Sequence, residues 1–240
     1  MSFKEKLFEG KYNYLKDGKV YTQEDFTVLK EDKIQGEYTY NAEVLTRVHT
    51  GEFLKIFVEA EFMHNFDPLR YQITRSLGDK ESVETFLINQ KDKNYTYIFD
   101  GVNGKQQFEK IVNGKPHIAS PCFVLSTVMI NAKKLDPVHR TTYSVITSSN
   151  IWDYEKPFVE KDIVLELQDL EQVPLKVGDR ELKATHCKVV YFDDKGQISD
   201  HHDDIFMSKY NYIPYKAKFS DGLEIEVESL RNYEQHRTKF

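Results

Sequence analysis

One stretch of this chain breaks the pattern that governs the rest. Residues 120–132 read Ser-Pro-Cys-Phe-Val-Leu-Ser-Thr-Val-Met-Ile-Asn-Ala, and seven apolar residues crowd into positions 122–130 without alternating. Elsewhere apolar and polar residues alternate with the two-residue period of half-buried strands. Ser120 has the acceptor oxygen of an N-cap, and Pro121 would take the first helical position, where a missing N–H costs nothing. If helical, Cys122, Phe123, Val124 and Leu125 point in four directions about 100° apart, so the segment is apolar nearly all round and must be enclosed. The pattern predicts one short helix, about 20 Å long at 1.5 Å per residue. The rival is a doubly buried strand, favoured by β-branched Val124, Thr127, Val128 and Ile130. The start signal decides for the helix.

The flanking sequence is strand throughout. Residues 7–15 and 19–29 form a hairpin about Asp17-Gly18, which sets Leu15 opposite Val20 and Tyr14 opposite Tyr21. In 34–44, Ile34, Gly36, Tyr38, Tyr40, Ala42 and Val44 share one face, with polar residues on the other. Residues 54–62 repeat the alternation, and His64 carries the same apolar parity. Strands follow after Asp67-Pro68 and at 83–88, 95–99 and 107–112, the last turned at Asn113-Gly114. Eight strands in a row without a helical crossover exclude a parallel α/β plan.

Beyond the helix, strands are expected at 141–147, 163–170, 182–192 and 198–207, and a closing hairpin at 215–228. A two-residue turn there would set Phe219 opposite Glu224 and mix the faces. A three-residue loop, Ser220-Asp221-Gly222, sets Phe219 opposite Leu223, Ala217 opposite Ile225, and Lys216 and Lys218 opposite Glu226 and Glu224. The second register keeps every charge off the core face. The fold expected is all-β: a single domain over residues 1–240. It is one large, strongly curved antiparallel sheet, a β-roll or open barrel of about 12–14 strands, wrapped around the short central helix. Residues 148–161, which hold the single tryptophan, Trp152, read as a long loop at the mouth of that sheet. The tail 234–240 is charged and expected to fray.

Composition narrows the function. The net charge is −6, and no basic arm or patch argues for nucleic acid. Cys122 and Cys187 both lie in apolar segments and read as reduced core residues rather than a disulfide framework. No apolar run approaches the roughly 18 residues of a membrane span. The first residues lack the apolar core of a signal peptide, so the chain as given is expected to be cytoplasmic, or periplasmic or secreted if a leader has been removed.

Taken together, several segments resemble bacterial β-roll or half-barrel families of uncharacterised function, related in plan to lipoprotein-localisation factors and to glycolipid-binding spiral β-roll proteins. The resemblance is carried by Asp17-Gly18 followed by Glu24-Asp25-Phe26-Thr27-Val28, by Phe66-Asp67-Pro68, by the helix at 120–132 and by Tyr212-Ile213-Pro214-Tyr215-Lys216. It implies a bent antiparallel sheet around a helix with an apolar groove, and related folds carry acyl chains or other lipids. Members are generally exported, and the resemblance carries no catalytic residues over.

Candidate sites are few. His201-His202-Asp203-Asp204 offers two ligands per strand face, short of the three or four that zinc takes, and reads as a solvated edge. Asp193-Asp194-Lys195-Gly196 lacks the acidic spacing of a calcium loop and reads as a turn. No nucleophile elbow, zinc-protease or phosphate-loop motif occurs, and Cys122 sits in apolar surroundings that keep a thiol inert. An enzyme would need His64, His186 or His202 to converge with carboxylates in one cleft. No catalytic residue, metal or cofactor is expected. The expected activity is non-enzymatic binding of a hydrophobic or amphipathic, lipid-like ligand in the concave groove. Tyr38, Tyr40, His64, Trp152 and His186 are its candidate contacts. The alternative is a protein-interaction module or effector with a filled core.

Overall fold

In the computed structural model, which describes residues 3–112, 114–192 and 197–234, the alternating segments join a single sheet of 16 strands. A meander opens it: β1 (Lys4–Lys16), β2 (Lys19–Glu31), β3 (Tyr38–Arg47), β4 (Phe53–Phe62), β5 (Pro68–Leu77), β6 (Lys80–Asn89), β7 (Asn94–Gly101) and β8 (Gly104–Ile111). After the two-residue β9 (His117–Ile118) and a helical segment come β10 (Thr141–Thr147), β11 (Val159–Leu167), β12 (Val173–Val177), β13 (Arg180–Phe192), β14 (Ile198–Met207), β15 (Pro214–Lys218) and β16 (Leu223–Asn232). β16 returns beside β1, which joins the two halves. The order is β8-β7-β6-β5-β4-β3-β2-β1-β16-β15-β14-β13-β11-β10-β9, with β12 paired to β13 alone. β8 and β9 are free edges, so the barrel stays open. Two strands exceed the sequence reading: β9 and β12 are too short for their alternation to register.

Turn chemistry sets the registers. Asp17 and Gly18 both take left-handed φ, 52° and 72°, as a tight hairpin requires. Leu15 faces Val20 as expected, but a bulge beside it moves Tyr14 opposite Thr22 instead of Tyr21. The closing hairpin has the three-residue register: Ala217 faces Ile225, and Lys216 and Lys218 face Glu226 and Glu224. Gly222 is left-handed, φ 83°. Ile34, expected on the core face, is 101% exposed in the connection before β3, where the Gly36 N–H closes a turn on the Lys33 carbonyl. Asn113, residues 193–196 and the tail from 235 lie outside the described residues, and with them the expected turns there and most of the expected fraying.

The enclosed segment is helical but broken. A 3-10 turn, Phe123–Leu125, is followed by further turns and by α1 (Met129–Ala132). Its hydrogen bonds mostly span three residues, as in Ser126 N–H to Phe123 O and Asn131 N–H to Val128 O, each 3.0 Å. The start differs from the expectation. Cys122 is extended, φ −102° and ψ 134°, so Ser120 and Pro121 lie outside the first turn. The cap comes instead from across the barrel: the Glu24 carboxylate of β2 accepts the Phe123 N–H at 2.7 Å and the Val124 N–H at 3.0 Å. β-Branched Val124, Thr127 and Val128 resist a regular α-helix, and Thr127 Oγ1 is drawn away to the Tyr212 carbonyl. Enclosure is complete: Phe123, Val124, Leu125, Val128, Met129 and Ile130 are all at most 6% exposed. Tyr12 stands edge-on to Phe123 at 5.0 Å. Among the described residues, no helix is long and apolar enough to cross a membrane.

Candidate functional site

The strand ends define two rims. One carries the turns at 17–18, 48–52, 78–79 and 102–103 and the connection 148–158. The other carries the connections 32–37, 63–67, 90–93, 133–140, 168–172 and 208–213. They differ in kind. The first is plugged; the second opens into a cavity of about 870 Å³.

The plug is the long loop holding Trp152. Phe158, 2% exposed, lies among Phe86, Tyr97 and Phe108 at centroid distances of 6.0, 5.9 and 5.3 Å. Asn150, 1% exposed, shapes the loop around itself. Its Oδ1 accepts the Glu155 N–H at 2.8 Å, and its Nδ2 donates to the Tyr97 hydroxyl at 2.7 Å and the Lys156 carbonyl at 2.9 Å. Val102 donates its N–H to the Trp152 carbonyl at 3.0 Å. A Cβ on Gly101 would stand 2.3 Å from that same oxygen, so only glycine admits the loop there. The loop expected at the mouth therefore seals the opposite end.

The cavity at the other rim has an apolar floor and a polar lip. Leu7, Phe8, Val28 and Tyr40 form the floor, all at most 4% exposed. Tyr38, Phe66, Tyr215 and Leu230 stand above them, and Asn131, Lys134, Gln172, Lys209, Tyr210 and Asn232 are among the residues at the lip. Phe66 is held in the left-handed region, φ 64°, which a bulky residue adopts only under local constraint. The constraint is visible: the Met63 and Phe66 N–H groups close the turn, and Asn65 bonds Asp67 through both backbone and side chain. The Phe66 ring is thereby stacked on Tyr38 at 4.4 Å, while Lys30 Nζ lies 5.1 Å from the centre of the Tyr38 ring. Burial holds the Tyr40 phenol well above its ordinary pKa, so it stays a neutral group. Lys134 lies over the Tyr212 ring at 4.4 Å.

Of the residues singled out from sequence, this cavity unites Tyr38 and Tyr40 only. His64 lies exposed in the β4–β5 turn, because strand parity ends at Phe62. Trp152 belongs to the plug. His186 lies on the outer face of β13, not on an apolar one. Its Nε2 is 2.8 Å from Asp204 and its Nδ1 3.4 Å from Asp169, with the ring stacked on Phe206 at 4.4 Å. That geometry fixes the ring between two carboxylates. His202 is 3.9 Å from Asp204, and Asp203 is taken up by the Tyr191 hydroxyl and the Ser220 N–H. Among the described residues, no group of three or more metal-ligating side chains converges. Cys122 and Cys187 are free and buried.

Two interior acids escaped the sequence reading. Glu24 is fully buried; its carboxylate accepts the Tyr14 hydroxyl at 2.5 Å besides the two backbone N–H groups. Burial pushes its pKa up to about 7 against the pull of those donors. Glu84, 1% exposed, accepts from Tyr97 at 2.8 Å and Arg75 at 3.0 Å. The available signal was a carboxylate on the apolar parity of its strand, as Glu24 stands between Thr22 and Phe26. A smaller cleft of about 440 Å³ lies over β1–β4 and β16 between rows of paired charges, with buried Phe26 and Ala42 and half-exposed Phe57 in its lining.

No family model and no curated protein matches this chain. Among solved structures, a β-barrel-like protein of domain of unknown function DUF1849 from Brucella abortus superposes with a TM-score of 0.56 at 12% identity, over 95% of this chain and 98% of that one. The likeness is one of fold alone.

Proposed function

We propose that the protein binds a hydrophobic or amphipathic, lipid-like molecule in the mouth cavity, without chemistry. One observation carries the reading: an opening of about 870 Å³ that reaches down to buried Leu7, Phe8, Val28 and Tyr40 and is lipped by amides and lysines. Its volume falls in the range of small-molecule sites, roughly 300–1,000 Å³. An apolar chain on the floor and a polar head among Asn131, Lys134 and Lys209 would match that division. The rival reading, an interaction module with a filled interior, is disfavoured by the same space.

Native mass spectrometry and solvent extraction of the purified protein test it, with cis-parinaric acid as the added probe. The expected result is a retained or titratable small molecule, and a loss of probe binding of at least about tenfold in Val28→Trp, which fills the floor. The proposal fails if the wild-type chain neither retains a molecule nor enhances the probe's fluorescence, or if Val28→Trp binds it as well.

A further inference from the structure

The apolar side chains left in solvent are not spread evenly. Among the described residues, six large apolar side chains exceed 70% exposure: Phe3, Ile34, Ile111, Val138, Leu170 and Tyr210. All six lie at strand ends or connections of the open rim: the start of β1, the β2–β3 connection, the end of β8, and the connections α1–β10, β11–β12 and β14–β15. At the plugged rim the most exposed apolar residue is Val102, at 57%. Each of the six stands on a different segment, so together they ring an opening instead of forming one continuous patch. Tyr210 lines the cavity itself, Leu170 is two residues from lining Gln172, and the Phe3 carbonyl accepts the Asp32 N–H beside Ile34.

Charge also differs between the rims: the open one is close to neutral and the plugged one is acidic. Loops of the open rim carry Lys33, Lys91, Lys93, Lys134 and Lys209 among their basic residues; Lys209 directly adjoins Tyr210, and Lys33, which pairs with Glu31 at 3.2 Å, adjoins Ile34. Acidic residues there, Asp32, Glu37, Asp67, Asp92, Asp136, Asp169 and Glu171, are about as numerous as the basic ones. Asp67 is paired with Lys115, Asp92 accepts from Asn89, Asp136 accepts the Val138 and His139 N–H groups, and Asp169 faces His186. Loops of the plugged rim carry Asp17, Glu52, Asp79, Asp153, Glu155 and Asp221, with Lys156 as the one Lys or Arg among their described residues.

We infer that the open rim is a docking surface for a lipid bilayer, its loop-tip side chains entering the headgroup region with the mouth facing the membrane. Separate apolar anchors on different loops suit a soft, laterally fluid phase, which accepts each tip where it stands; a protein partner would need a matching pocket for each. Tyr210 has the apolar ring and polar tip that favour a membrane–water boundary, and the adjoining lysines meet lipid phosphates. An acidic far rim disfavours the inverted orientation on an anionic surface. The inference goes beyond the ligand reading and does not rest on it, since the anchors lie outside the floor.

The test is flotation of the full-length chain with vesicles of phosphatidylcholine containing phosphatidylglycerol. Wild type is expected to float, and a triple variant Ile34→Asp, Leu170→Asp, Tyr210→Asp to bind at least about tenfold more weakly. An opposite-rim control, Phe53→Asp with Val102→Asp, should float like wild type, as should the cavity-filling Val28→Trp. Trp152, in the plug, supplies an internal reference. With brominated lipid, Trp152 fluorescence should stay unquenched in the wild type, while Tyr210→Trp adds a quenched component. A wild-type chain that does not float overturns the inference, as does a triple variant that floats undiminished. A loss as large in the control, or quenching of Trp152 equal to that of Trp introduced at 210, overturns it too.

Discussion

Both ends of this barrel carry aromatic and large apolar residues in their loops, yet one is sealed and the other open. At the sealed end Phe158 finds three rings from β6, β7 and β8 around it, and Asn150 satisfies the loop's own backbone. At the open end Tyr210 and Leu170 find no such bed and stand 84% and 77% exposed. An aromatic in a loop thus says nothing alone; what decides is whether the strands beneath present a matching set of rings. The inner face of β7 does, with Tyr95, Tyr97 and Phe99 all buried. The floor under the mouth stops short, at Val28 and Tyr40.

Breaking the seal should have the largest effect. Phe158→Ala is expected to cost about 3–5 kcal/mol of stability, the usual range for a buried ring, measured by urea unfolding. A change below about 1 kcal/mol would mean that the loop is not a plug. Glu24 tests how the enclosed segment is tied to the sealed half. Its folded pKa, about 7, exceeds the ordinary 4.5 because burial disfavours the charge. The folded state therefore holds the proton more tightly than the unfolded one. The associated stability is fully present below about pH 4.5 and lost as pH rises through about 7, on the order of 3 kcal/mol at one pKa unit per 1.36 kcal/mol. Glu24→Gln should flatten that slope in unfolding free energies measured between pH 4.5 and 8; an unchanged slope would place the titration elsewhere. Asn150→Ala removes a buried amide that bonds the buried Tyr97 hydroxyl and the loop's own backbone, and should cost about 1–3 kcal/mol, with a shift in Trp152 emission as the loop loosens.

What could be read from sequence follows the range of the interactions concerned. Hairpin registers depend on neighbours a few residues apart, so the Ser220-Asp221-Gly222 turn and its Lys–Glu pairs were legible. The enclosed segment was legible as apolar and helical, because its failure to alternate is local. Its start was not: the donors of Phe123 and Val124 are met by Glu24, about a hundred residues earlier in the chain. Ser120 lay closer in sequence but does not cap the turn. The same holds for the site. Tyr38 and Tyr40 face the cavity because strand parity carries through β3, whereas His64 lies past the end of β4, where parity no longer applies. The loop read at 148–161 was legible as unusual but not as a plug, since the bed of rings under Phe158 comes from strands some 50 to 70 residues away in sequence, at Phe108 and back to Phe86.

The smallest expected effect sharpens the contrast most. Tyr210→Ala and Leu170→Ala remove side chains already in water, so each should change unfolding free energy by no more than about 0.5 kcal/mol. Both should leave Trp152 emission in place. Paired with Phe158→Ala, these variants compare apolar truncations at the two rims. If the open-rim side chains were partners of some unseen part of the fold, their removal would cost stability on the scale of a packed residue, about 2 kcal/mol or more. A null effect means instead that the fold derives nothing from keeping these two apolar side chains in solvent. Their retention then has to be explained by something outside the folded chain, and a membrane-facing mouth supplies it where a purely structural account of the rim does not.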